Sequence, residues 1–179
     1  MLTREMIGLF WDEKEDGFFL IGKDSEKMIF ETKEIFDGAS SSSNTIAAYV
    51  LLKLSRMTQD SEISQYTEKQ FRFMSQLAAP NLGALTGFMS AYDDFLSPSK
   101  EIVLVKDDEG VFLTFLNKLF LPDVIYLYPN TILTWTENYQ KTTKAPTVFI
   151  CKDFSCKRPL HTLEELKIEF REGREEQEF

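Results

Sequence analysis

Apolar residues recur along this chain with two different periods, and the period changes once. Over residues 45–57 Ile46, Tyr49, Val50, Leu51, Leu52, Leu54 and Met57 are apolar around most of a helical circumference, which predicts an interior helix covered on both sides. Residues 60–79 carry an amphipathic stripe, Ile63, Tyr66, Phe73, Met74 and Leu77, with Asp60 as the predicted N-cap. Ala79-Pro80-Asn81 breaks that helix, and 82–96 repeats the pattern with Leu85, Phe88, Met89, Tyr92, Phe95 and Leu96 on one face. Three antiparallel helices with short links make a helical layer.

Ser97-Pro98-Ser99-Lys100 marks the change of period. Ile102-Val103-Leu104-Val105 predicts a buried strand, Asp107 or Asp108 caps a helix to about Phe120, and Val124-Ile125-Tyr126-Leu127-Tyr128 predicts a second strand, a βαβ unit. The polar, threonine-rich run 129–146, with a short extended piece at Ile132-Leu133, leads to a third strand at 147–151. Thr162 opens a last helix, and Glu165 three residues on completes a capping box. The expectation is a mixed α and β protein: helices with an N-terminal hairpin over 1–98, a small α/β subdomain over 99–170, and a frayed, charged tail over 171–179.

Ahead of the helices, Met6, Leu9 and Phe10 read as the last turns of a helix cut off upstream. An acidic turn, 11–17, then joins a short strand at 18–21 to a second extended run at 27–33. The chain next enters the turn Ile35-Phe36-Asp37-Gly38-Ala39-Ser40-Ser41-Ser42-Ser43-Asn44. There Asp37-Gly38 supplies the reversal, and Ser43 or Asn44 is a natural N-cap for a helix beginning near Thr45.

Composition narrows the partners. The 179 residues are 43% hydrophobic and 27% charged, enough for one good domain or two small ones, and the 16 phenylalanines imply an aromatic core or surfaces that meet something outside this chain. A net charge of -9 repels phosphate backbones and anionic lipid, which excludes nucleic acid and membrane as partners. No run approaches the roughly 20 apolar residues of a membrane span, and residues 1–6 lack a signal-peptide core, so the expected setting is cytoplasmic. Cys151 and Cys156 are not spaced as Cys-x-x-Cys and are expected reduced and free of metal.

Chemistry-bearing groups are sparse. Asp12, Lys14, Asp16 and Gly17 echo a calcium loop, but a lysine stands at one ligand place and Lys23 where the bidentate glutamate belongs, so a turn with solvated carboxylates is the better reading. Cys151, Cys156 and His161 are evenly spaced but lack the paired knuckles of structural zinc sites, and His161, the only histidine, reads as a helix-entry residue. Lys106-Asp107-Asp108-Glu109-Gly110 puts carboxylates where a phosphate needs bare N–H groups, which argues against nucleotides. No cofactor is implied. Glu34 and Asp37, with Ser43 and Asn44, remain as the one plausible binding or acid–base set. The alternative is that Asp37 and Asn44 only bond backbone groups to hold the turn.

Five stretches in order carry a family resemblance. These are Phe10-Trp11-Asp12 with Gly17-Phe18-Phe19, Lys33 to Ala39 before Asn44 and Ala47-Ala48, Glu101 to Val105, Phe149-Ile150-Cys151, and Cys156 with Pro159. From about Phe10 to about Leu166 the chain resembles the C-terminal third of thioredoxin-domain-containing proteins of the YyaL and spermatogenesis-associated protein 20 type. Those proteins join a thioredoxin-like domain to an (α/α) toroid similar to N-acylglucosamine 2-epimerases and six-hairpin glycosidases. The family's turn reads Asp-Gly-Ala-x-Pro-Ser-Gly-Asn, and here Ser41 and Ser43 stand at the proline and glycine places. The resemblance implies the closing helices of a toroid followed by the α/β subdomain. It also implies that the thioredoxin-like and earlier toroid portions lie outside this chain, and that Glu34 and Asp37 border a carbohydrate-type cavity. Three functions follow as expectations: part of a carbohydrate-acting toroid, a non-catalytic docking module, or the substrate-holding part of a redox protein. A partial toroid is further expected to self-associate through Phe88, Tyr92, Phe95 or Tyr49.

Overall fold

A computed structural model describes residues 2–26, 30–130, 133–153 and 155–175, as a mixed α/β protein. The chain divides into two compact units, Met1–Ser97 and Pro98–Phe179. Among the described residues no helix is long and apolar enough to cross a membrane.

The N-terminal unit is built from α1 (Leu2–Phe10), α2 (Ser43–Thr58), α3 (Ser61–Ala78) and α4 (Thr86–Leu96). The N-cap of α2 is Ser42, whose hydroxyl accepts from the Thr45 N–H, so the helix starts earlier than the sequence reading had it. Gln59 ends α2 in the left-handed region at φ 55°, and the Asp60 carboxylate caps α3 by accepting from the N–H groups of Glu62 and Ile63. Residues 82–96 split into a 3₁₀ turn, Leu82–Ala84, and α4.

Phe71, Met74 and Ala78 of α3 pack against Ala48 and Leu52 of α2 and against Leu85, Phe88 and Ala91 at and on α4. Phe71 stacks on Phe95 with centroids 4.2 Å apart, and Tyr92 packs beside them. Phe88 is therefore sealed inside this chain, while Tyr92 and Phe95 are partly buried against the same cluster. On α2 Ile46, Tyr49 and Val50 are exposed although the pattern had implied cover on both sides, and Leu96 at the end of α4 is exposed too. A second cluster joins Ile7, Trp11, Phe18, Ala47, Leu51 and Ile63, with fully buried Trp11 edge-on to Phe18 and Tyr66.

Between α1 and α2 the expected strand at 18–21 reduces to a single antiparallel bridge, Trp11 to Phe18, and one N–H of Leu20 bonded to the Thr32 carbonyl. Of the extended run at 27–33, residues 27–29 lie outside the described residues. In the acidic turn Glu13 and Glu15 are exposed as read, but Asp12 is not. Buried Asp12 accepts from the N–H groups of Lys14 and Glu15 and pairs with Lys33 Nζ at 2.7 Å, and Lys33 lies over the rings of Phe19 and Phe73.

In the C-terminal unit β1 (Lys100–Val105), α5 (Val111–Leu116) and β2 (Val124–Leu127) form the βαβ crossover, followed by α6 (Glu137–Thr142), β3 (Thr147–Lys152), β4 (Ser155–Cys156) and α7 (Leu163–Glu175). The sheet order is β2-β1-β3-β4; β1 and β2 are parallel, while β3 runs antiparallel to β1 and to β4. Ile102, Leu104 and Val148 meet Phe112, Leu116 and Leu166 in the core. The Asp107 carboxylate caps α5 through the N–H groups of Phe112 and Leu113, and Gly110, at φ +66°, turns the chain into it. Thr162 and Glu165 form the capping box of α7.

The polar run before β3 folds into a 3₁₀ turn at Thr134–Thr136 and α6; of the extended piece expected at Ile132-Leu133, Ile132 lies outside the described residues. One expectation fails here. Cys151 and Cys156 are joined in a disulfide rather than reduced: with four residues between them, the β3–β4 hairpin sets the two cysteines opposite each other in register.

Candidate functional site

The sequence-predicted residues gather at the N-terminus of α2. A helix start leaves its first N–H groups without internal partners, and the chain arriving from Lys33 supplies carboxylates to them. The N–H of Ser42 donates to Asp37 Oδ1 at 2.8 Å, and that of Ser43 donates to Glu34 Oε2 at 2.9 Å. The second Asp37 oxygen reaches another helix. Oδ2 accepts from the N–H of Gly87 at 2.8 Å and, more weakly, from that of Phe88 at 3.4 Å, both in the first turn of α4. One carboxylate thus ties together the positive ends of α2 and α4.

Burial acts to raise the Asp37 pKa, but the N–H donors of Ser42, Gly87 and Phe88 and the Thr45 hydroxyl outweigh it and hold the group below the ordinary carboxylate range. Asp37 is therefore a fixed anion with both oxygens engaged, unsuited to donating a proton near neutrality. Gly87 is what allows its approach: a Cβ there would come within 2.7 Å of Ser41 Oγ and 3.1 Å of Asp37 Oδ2.

Asn44, fully buried, bonds the chain on three sides. Its side-chain oxygen accepts from the Phe18 N–H at 2.8 Å and from Gln70 Nε2 at 3.1 Å, while its Nδ2 donates to the carbonyls of Phe18 and Glu34. Gln70 Nε2 also donates to the Asn44 carbonyl. The asparagine amide thereby stands in for a strand residue opposite Phe18, joining the lead-in loop to α2 and α3. Ser43 contributes its N–H; its buried hydroxyl has no hydrogen-bond partner among the described residues.

The other ends of the same two helices are also joined. Arg56, near the end of α2, donates from Nη1 to Asp94 Oδ1 at 2.6 Å and from Nη2 to the carbonyls of Asp94 and Ser97, and Lys53 pairs with Asp94 Oδ2 at 2.8 Å. Burial pushes the Asp94 pKa up, but Lys53 and Arg56 bring it below the usual range. Sequence reasoning missed Gln70, Gly87 and the Arg56–Asp94 pair. A charged residue inside an otherwise apolar stripe was the one local signal, visible at Arg56 and Asp94 but without an indication that they meet across 38 positions.

The weaker candidates do not assemble. His161 accepts or donates at Nδ1 to the Thr147 hydroxyl at 2.9 Å, at the start of β3, while Cys151 lies toward its end in the disulfide. Among the described residues no group of three or more His, Cys, Asp or Glu side chains could hold a metal ion. In the N-terminal unit, a cleft of about 150 Å³ opens among Phe19, Ile21, Lys23, Phe30 and Thr32, and an apolar one of about 410 Å³ among Leu2, Met6, Leu9, Phe10 and Val50, neither lined by Glu34, Asp37, Ser43 or Asn44.

No protein-family model matches the chain. It is similar to Uncharacterized protein B0495.5 of Caenorhabditis elegans, being 27% identical over 167 residues that cover 88% of this chain and 23% of that protein. The chain thus spans about a quarter of the length of this curated relative.

Proposed function

We propose that this chain is the closing part of an (α/α) toroid of the YyaL and spermatogenesis-associated protein 20 type, contributing to the wall of a carbohydrate-type cavity and not catalytic on its own. The observation that carries the reading is the alignment of α2 and α4. Asp37 joins their N-terminal ends and Arg56 their C-terminal ends, so the two helices run the same way, with α3 connecting them in the opposite direction. Helical hairpins repeated around a toroid have this sense. The exposed Ile46, Tyr49 and Val50 on α2 and Leu2 on α1 supply an apolar surface for further helices to cover. Full engagement of Asp37 supports a structural role for the carboxylates at the turn.

Sedimentation equilibrium at micromolar concentration tests it. Self-association that Tyr49→Asp with Val50→Lys abolishes, at unchanged helix content, fits the surface reading; a wild-type monomer contradicts it. A carbohydrate-binding screen on the longer parent protein then addresses the cavity.

The alternative reading, a non-catalytic docking module of a redox protein, draws on the C-terminal unit. Its βαβ crossover followed by an antiparallel hairpin and a closing helix, in the order β2-β1-β3-β4, is a connectivity that thioredoxin-like domains also use. The turn between β1 and α5 carries Lys106-Asp107-Asp108-Glu109-Gly110 and no cysteine, which favours docking over exchange at that turn.

A further inference from the structure

The Cys151–Cys156 disulfide lies in the hairpin at the end of the sheet away from the β1–α5 turn, and its two sulfurs have unequal surroundings. Cys151 is 2% exposed and pairs in register with fully buried Glu101 on β1. Cys156 is half-buried, and the Tyr139 hydroxyl of α6 donates to its Sγ at 3.1 Å. Burial, and then the charge of Glu101, hold the Tyr139 pKa up, so that hydroxyl keeps its proton and remains a donor. In a chain of net charge -9, the sequence around the pair is basic: Lys152, Lys157 and Arg158 are exposed, and Lys100 lies opposite Lys152. Buried Glu101, Asp153, whose carboxylate accepts from the Ser99 N–H, and Glu169, paired with Lys157 at 2.5 Å, are carboxylates beside them.

We propose that Cys151–Cys156 is a thiol–disulfide exchange centre for small anionic thiols of the glutathione class, entered through Cys156. A thiolate attacks Cys156 Sγ, the more accessible sulfur. The new S–S bond forms to Cys156, the Cys151–Cys156 bond breaks, and the electron pair leaves on Cys151, which takes up the proton the incoming thiol released. A second thiolate attacks the outer sulfur of the mixed disulfide, releasing Cys156 and the oxidised disulfide of the small thiol. Two thiols are oxidised and one protein disulfide is reduced. Cys156 is the leaving thiolate of the second step, and the Tyr139 hydroxyl stabilises its charge. Tyr139 is a positioning residue here, and the basic hairpin attracts the anionic thiol.

The oxidised full chain, folded by circular dichroism, is treated with reduced glutathione, acid-quenched, and mapped by peptide mass spectrometry. The expected adduct is on Cys156. Glutathione should exceed the cationic thiol cysteamine by about threefold in rate per thiolate at low salt, a preference that high salt erases. Tyr139→Phe should slow release of Cys156 by about tenfold, so that the mixed disulfide accumulates. Cys151→Ser should hold one glutathione stably on Cys156; if that variant does not fold, the wild-type adduct map decides by itself. A disulfide untouched while the protein stays folded, an adduct on Cys151, or equal rates with the two thiols would each overturn the proposal.

Discussion

The two units of this chain solve the same problem, fixing short elements around a small core, by different physical means. In the N-terminal unit long-range polar links do much of the fixing: Asp37 joins two helix starts, Asn44 joins a loop to two helices, and Arg56 with Asp94 joins two helix ends. In the C-terminal unit the β-ladders and the apolar layer of Ile102, Leu104, Leu116, Val148 and Leu166 fix the elements, with the Asp107 cap of α5 a local link. The contrast teaches that the carboxylates at the central turn, which look like a site in sequence, behave as joints. The lowered carboxylates also differ in setting: Asp12, Asp37 and Asp94 of the first unit bridge distant stretches of chain, whereas Glu164 and Glu165 of the second lie in the first turn of α7.

The largest expected break of this contrast is Asp94→Ala. It leaves the Arg56 guanidinium buried without its carboxylate and should cost the N-terminal unit about 3–5 kcal/mol in urea unfolding. Asn44→Ala comes next, at about 2–4 kcal/mol, because the Phe18 N–H and the carbonyls of Phe18 and Glu34 lose their partner inside the fold. A smaller effect should follow from replacing both Cys151 and Cys156 by Ser. The bridge closes a short loop, so about 2 kcal/mol or less is lost, and from the C-terminal unit alone. If Asp94→Ala destabilises no more than the double serine variant, the polar links are not what holds the N-terminal unit.

The fold was legible in sequence where signals are local. Asp60 as N-cap, the Thr162–Glu165 capping box, and the change of period near Ser97 each depend on residues a few positions apart. Legibility failed where a distant partner decides. The run 18–21 has strand-like residues but only one bridge, because its neighbour across the loop is the Asn44 side chain rather than a strand. The polar run before β3 is helical in part because Tyr139 and Trp135 pack there, Tyr139 against Phe149 at 4.6 Å. Glu34, Asp37, Ser43 and Asn44 were found as a group, but the Asp37 link to Gly87, 50 residues away, was not readable from either stretch.

The central claim, that an ionised Asp37 holds α2 and α4 together, is tested most directly with a reporter confined to one unit. The chain has two tryptophans, Trp11 in the first unit and Trp135 in the second, so Trp135→Phe leaves the buried Trp11 as the emitter. Because the folded pKa of Asp37 is depressed, its contribution is fully present above the unfolded value near 4 and is lost as pH falls through the folded one. Urea midpoints read from Trp11 should therefore hold steady from pH 7 to about 5 and fall below about 4. Adding Asp37→Asn should lower the midpoint at pH 7, by about 1–2 kcal/mol in stability, and reduce the acid dependence to the part that Asp12 and Asp94 still supply. A Trp11 midpoint equally sensitive to acid with and without Asp37, and unchanged by the substitution at pH 7, would contradict the account.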